Sequence, residues 1–150
     1  RADRTSDRSC SMIILDTNVL SALMQQRPDP AVIAWMDAQA ADSVWITTVT
    51  VFEARFGLEL LPKGKRRQTL VDAFEALVEQ DLEGRVLEID ALSAASAATL
   101  AAKRRRAGEP VDFRDTLIAG VALARRATIA TRNVRHFADL TVPVVNPWQG

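Results

Sequence analysis

The sequence predicts an α/β fold in which a mostly parallel central sheet of about five strands is covered by helices on both faces, giving three layers. Three observations predict it. Short, β-branched apolar runs alternate with segments whose apolar residues recur at helical spacing. The first of those runs is apolar on both faces, as a buried parallel strand is. Finally, the 150 residues are 48% apolar and 25% charged, with no linker, internal repeat or low-complexity tract, which fits one globular domain.

The elements follow in order. Residues 1–11 are polar and read as a flexible leader or appended extension, with the domain itself over 12–150. The run MIIL at 12–15 is a strand that delivers Asp16 at its C-terminal end. TNVLSALM at 17–24 is a helix stopped near Arg27-Pro28-Asp29-Pro30, and Pro30 opens a second helix through Trp35 and Met36. A second strand lies around Val44 to Ile46. Thr48 to Leu61 is a helix, separated by Pro62 and Gly64 from an amphipathic one, Lys65 to Leu82, with Leu70, Phe74, Leu77 and Val78 on its apolar face. Val86 to Ile89 is the third strand and Ala91 to Ala107 an Ala-rich helix. After the break Gly108-Glu109-Pro110 come a helix from Phe113 to about Arg126, a fourth strand from Thr128 to Thr131, a turn around Phe137 to Leu140 and a fifth strand from Val142 to Val145.

Composition narrows the function classes. Lys plus Arg equals Asp plus Glu at 19 each, so affinity for nucleic acid must come from charge distribution and not from net charge. Cys10 is alone, which rules out an internal disulfide or a cysteine-pair zinc site and fits a reducing cytoplasm. No apolar run approaches the roughly 18 residues of a membrane span, and the first residues lack a signal-peptide core.

In open α/β sheets ligands collect beyond the C-terminal strand ends, where strand order reverses. Asp16 ends the first strand and Thr131 to Asn133 the fourth, while Glu53 and Asp115 lie near the starts of helices that can face the same crevice. An oxygen-only cluster of this kind selects magnesium or manganese, because these hard cations prefer carboxylates and water. The single histidine, His136, argues against a nitrogen-rich site. Clustered carboxylates repel one another and hold protons more tightly until a cation arrives. A bound metal would lower the pKa of a water nucleophile and neutralise phosphate charge, the chemistry of phosphodiester hydrolysis. Each acid also has a structural reading: Thr50-x-x-Glu53 and Asp112-x-x-Asp115 match helix caps, and Asp16 could cap the helix after it. Their combination favours chemistry over capping.

Four ordered motifs then carry a resemblance over residues 12–148. MIILDTNVLS at 12–21, TTVTVFEARFG at 47–57, FRDTLIAG at 113–120 and ATRNVRHF at 130–137, with VNPW at 145–148, resemble the PIN-domain proteins of the VapC and FitB-like toxin group. The resemblance implies a PIN-like fold and a Mg2+- or Mn2+-dependent endoribonuclease whose metal ligands are Asp16, Glu53 and Asp115, supported by Thr17, Asn18 and Thr131. At Asn133 related chains often carry Asp, and others place an acid at the position of His136. This chain has neither, so Asn133 offers a neutral oxygen among the catalytic groups, and Asp112 or Asp139 is a candidate to compensate. The resemblance further implies an RNA substrate, a small VapB-like antitoxin, a homodimer and a toxin–antitoxin hetero-oligomer. The apolar helical faces at 48–61 and 65–82 are the candidate contact surfaces.

Arg132 and Arg135 flank the crevice and are the RNA-contact candidates. The runs Lys63 to Arg67 and Lys103 to Arg106 are more simply solvated faces. Trp35, Trp45 and Trp148 read as packing residues. Other catalytic systems lack parts: Gly64-Lys65 is followed by Arg66 and not by Ser or Thr, and Cys10 has no histidine beside it. The rival to the nuclease is a non-catalytic PIN-like module that binds DNA or a partner, prompted by the neutral Asn133. A phosphatase ranks last, because Asn18 stands where such enzymes often have a second acid.

Overall fold

Strand β1 (Ile13–Leu15) is apolar on both faces and sits at the centre of the sheet. In this computed structural model, which describes residues 11–149, β1 pairs in parallel with β2 (Val44–Thr47) on one side and β4 (Thr128–Ala130) on the other. Parallel pairing then adds β3 (Val86–Leu87) to β2 and β5 (Val144–Val145) to β4, giving the order β3-β2-β1-β4-β5. The expected sheet is therefore present, with every strand parallel. The proposed leader, apart from Ser11, and Cys10 lie outside the described residues.

Among the described residues six α-helices flank it: α1 (Thr17–Leu23), α2 (Pro30–Asp37), α3 (Thr48–Leu60), α4 (Lys65–Ala76), α5 (Ala91–Arg106) and α6 (Phe113–Arg125). The alternation of side chains along β1 separates the layers, for successive residues point to opposite faces. Leu15 packs in one apolar cluster with Val19, Leu20, Val32 and Phe74. Ile14 packs in the other with Leu100, Ile118, Ile129 and Phe137. The helix expected to run to Leu82 stays α-helical only to Ala76 and widens into a π turn over Leu77–Asp81, which seats Leu77 and Leu82 in the core. The apolar face of 65–82 is thus turned inward.

The most intimate helix contact fixes α6, which carries Asp115. A Cβ placed on Gly120 would lie 2.5 Å from the Ser93 carbonyl oxygen and 2.6 Å from Ala97 Cβ, so α5 needs small residues and α6 needs glycine there. Gly120→Ala is expected to destabilise the fold by about 1–3 kcal/mol through overpacking. This reverses the gain of roughly 1 kcal/mol that alanine brings to an open helix site. A denaturant midpoint equal to or above that of the parent would contradict this close approach.

Candidate active site

The site lies at the C-terminal edge of the sheet between β1 and β4, where the chain order switches direction. Asp16 leaves β1 with an extended backbone and becomes the N-cap of α1, its Oδ1 accepting the Thr17 N–H at 2.8 Å. Its Oδ2 accepts the Thr131 hydroxyl at 2.8 Å and the Asn18 amide at 3.2 Å, while Asn18 Oδ1 accepts the Arg132 N–H across the seam. Thr17, Asn18 and Thr131 thus fix both carboxylate oxygens of a residue only 4% exposed.

Glu53 lies one turn into α3. The cap of that helix is Thr47, whose hydroxyl accepts the Thr50 N–H, so the expected Thr50–Glu53 capping box is displaced by three residues and Glu53 is free of capping duty. Its Oε1 accepts the Thr17 hydroxyl at 2.7 Å, and its Oε2 stands 3.6 Å from Arg114 Nη1. Asp115 lies in the first turn of α6, capped by Asp112 through the Asp115 N–H at 3.1 Å, so Asp112 takes the capping role and Asp115 does not. Asp115 Oδ2 contacts His136 Nδ1 at 2.9 Å.

Comparisons with known proteins bear on the family and the fold. The PIN-domain family model matches residues 13–142. The chain is a PIN-domain protein of the VapC and FitB group. It is 40% identical over 138 residues to VapC ribonuclease Y4jK of Sinorhizobium fredii, spanning 92% of this chain and 99% of that one. It is 34% identical to the toxin FitB of Neisseria gonorrhoeae over 91% of this chain and 99% of its length. In the crystal structure of FitAcB from the same organism a chain superposes with TM-score 0.83 at 34% identity, covering 93% of this chain and 100% of that one.

Within this PIN domain the charges of Glu53 and Asp115 reach Asp16, and the three acids do not form a closed cage. Burial raises the Asp16 pKa above the ordinary carboxyl value; the Thr131 and Thr17 hydrogen bonds oppose that, and the nearby Asp115 and Glu53 charges add to it. Among the described residues no three His, Cys, Asp or Glu side chains stand close enough together to form a ready metal site. The outer acids are turned instead toward basic side chains, Glu53 to the Arg114 guanidinium and Asp115 to the His136 imidazole. The donor chemistry suits magnesium or manganese, since every acid offers oxygen and the buried one is short of a counter-charge. Because the folded state holds the Asp16 proton more tightly than the unfolded chain, its carboxyl weakens metal-free PIN stability as pH rises from about 3.9 through the raised folded value. Melting temperatures in chelator should therefore move against the parent, relative to Asp16→Asn, as pH climbs through that window; parallel curves would refute it.

Asn133 is exposed and held through its backbone N–H to the Thr131 hydroxyl at 3.0 Å. With Arg132, Arg135, His136, Asn146 and Gln149 it lines a shallow depression of about 240 Å³, which shares Arg135 and His136 with the pocket lined by Asp112 and Asp115. Asp139 is committed elsewhere, both of its carboxylate oxygens accepting from Arg104. Arg132 lies over the Trp148 ring, 4.8 Å from its centroid. Sequence reasoning overlooked Arg114, the pairing role of His136, and Arg104. Arg114 had a signal, lying directly before Asp115, whereas Arg104 was hidden in a basic run read as solvated. Among the described residues no helix is long and apolar enough to cross a membrane.

Proposed function

We propose that the chain is an endoribonuclease toxin that hydrolyses RNA phosphodiester bonds with Mg2+ or Mn2+ held by Asp16, Glu53 and Asp115. The observation that carries the proposal is geometric: at the sheet switch point Thr17 holds Asp16 through its N–H and Glu53 through its hydroxyl, and the first turn of α6 brings Asp115 to the same edge. The relatives named VapC ribonuclease and toxin FitB support the activity class. When bound, the metal would supply a water of lowered pKa and neutralise charge on the phosphate oxygens.

The chain's own residues prepare the site. Thr131, Asn18 and the Thr17 N–H hold Asp16 in one orientation, and the Thr17 hydroxyl aims Glu53. Arg114 and His136 occupy the outer acids and become available to phosphate oxygens once the acids turn to a cation. Arg132 and Arg135 extend that positive rim, giving salt-sensitive affinity without sequence choice. Asn133 offers a carboxamide to orient water or a base.

The test uses partner-free protein and end-labelled single-stranded RNA. Cleavage in Mn2+ that stops on chelation is expected; equal cleavage in excess EDTA would defeat the metal assignment. The second reading, a non-catalytic module, is favoured only by the neutral Asn133, and complete absence of RNA cleavage would favour it. The partner proposal is a small VapB-like antitoxin, together with a homodimer. It is supported by the similarity to the FitAcB complex and by Phe52, Phe56 and Leu60, which lie four residues apart along α3 and are exposed.

A further inference from the structure

The buried charge of Arg104 has no part in the chemistry proposed so far. It sits in the last turn of α5, 6% exposed, and its guanidinium uses four of the five donors an arginine has. Nε and Nη2 bond the two oxygens of Asp139 at 2.9 and 2.8 Å. Nη2 also bonds the His136 carbonyl at 2.8 Å, and Nη1 reaches the Thr116 hydroxyl at 3.3 Å. That hydroxyl in turn donates to the Asp112 carbonyl at 2.6 Å, closing the first turn of α6.

These acceptors are not scattered. Thr116 is the chain neighbour of Asp115, His136 is the partner of Asp115, and Asp139 lies just beyond the 3-10 turn Val134–Phe137 that carries His136. His136 itself is exposed, so the buried core does not hold its ring. Only the Arg104 side of the ion pair is buried, Asp139 being partly open to solvent, and such a pair contributes little net stability, so stability alone is a weak reason for it.

We propose that Arg104 is a positioning residue that fixes the start of α6 and the 3-10 turn relative to each other, and so sets the Asp115–His136 pair. Its planar fork matches one carboxylate, one carbonyl and one hydroxyl at once, which a lysine ammonium on a flexible stem does not reproduce. Any effect on cleavage rests on the nuclease reading, but the positioning does not.

His136 is the only histidine of the chain, so its imidazole resonances in a nitrogen–proton NMR spectrum need no assignment and report the Asp115 contact without RNA. At one fixed pH, Arg104→Lys should move them toward the positions seen in Asp115→Asn, and Mn2+-dependent cleavage should fall about tenfold to a hundredfold, as when a supporting partner of a metal ligand is lost. His136→Ala should then cost less in Arg104→Lys than in the parent, since both act on one pair. Should Arg104→Lys fail to fold, Arg104→Met with Asp139→Leu removes the pair while filling its volume, and the same resonance shift is expected. Imidazole resonances at their parental positions in either folded variant would overturn the proposal. Parental protein that cuts no RNA would remove the nuclease reading while the resonance shift still decides this one.

Discussion

Asp115→Ala is expected to abolish metal-dependent RNA cleavage, lowering the rate by at least about a thousandfold, with little loss of stability. The rate effect follows from removing a ligand of a cation that supplies several kcal/mol of transition-state stabilisation, at 1.36 kcal/mol per tenfold. The stability effect is small because Asp115 caps no helix, Asp112 serving that end of α6, and its contact with His136 is half-exposed. Asp16→Ala should lose activity as completely while also weakening the fold. It removes the α1 cap, worth about 1 kcal/mol, and strips the buried Thr131 hydroxyl of its acceptor. Cleavage rates and melting temperatures on the same preparations separate the two cases. Activity surviving both substitutions would sink the catalytic assignment.

Phe56→Asp and Leu60→Asp are expected to weaken self-association at least tenfold to a hundredfold while leaving the monomer folded. The reason lies in what α3 exposes. Phe52 and Phe56 stack in near-parallel planes with ring centroids 6.0 Å apart, and Leu60, 70% exposed, continues the line. The buried residues of the same helix, Val49, Thr50, Ala54 and Leu58, already anchor it, so the outer stripe adds nothing to the core of a single chain. Aromatic side chains at the centre of an interface each contribute upwards of 2 kcal/mol, and a carboxylate placed among them would be desolvated without a partner. Sedimentation of parent and variants at matched concentration reads the outcome, and capture by a cognate antitoxin reads the second contact. A monomeric parent or an unchanged association constant would overturn the proposed dimer surface.

Much of this was legible in the chain before any coordinates. The sheet and its order of helices could be read because MIIL, VWIT and TIA are short apolar runs bounded by turn residues or helix caps. The switch point followed from Asp16 and Thr131 ending two of them. Glu53 and Asp115 could be assigned to the same edge because their helices start on that side, and the PIN resemblance added the ligand role they are proposed to have. Less visible were choices decided by geometry across the sheet. The cap of α3 fell to Thr47 and not Thr50, a three-residue difference that only the strand's end point sets. Arg104 and its neighbours look alike in a run of four cations. Position on the inner face of the last turn of α5 separates the buried one, and local charge counting carries no such information.

Asp16 belongs to two systems at once, ending a strand and starting a helix while facing the crevice. Glu53 and Asp115 have no comparable duty to the backbone. A lineage of this domain drifting away from catalysis would therefore change the three positions unequally: those of Glu53 and Asp115 can change with little harm to folding, whereas the first must keep a helix-capping acceptor, which aspartate supplies as well as asparagine or serine does. An aspartate at that place in a distant relative is accordingly weak testimony of activity, and the other two are the ones to inspect.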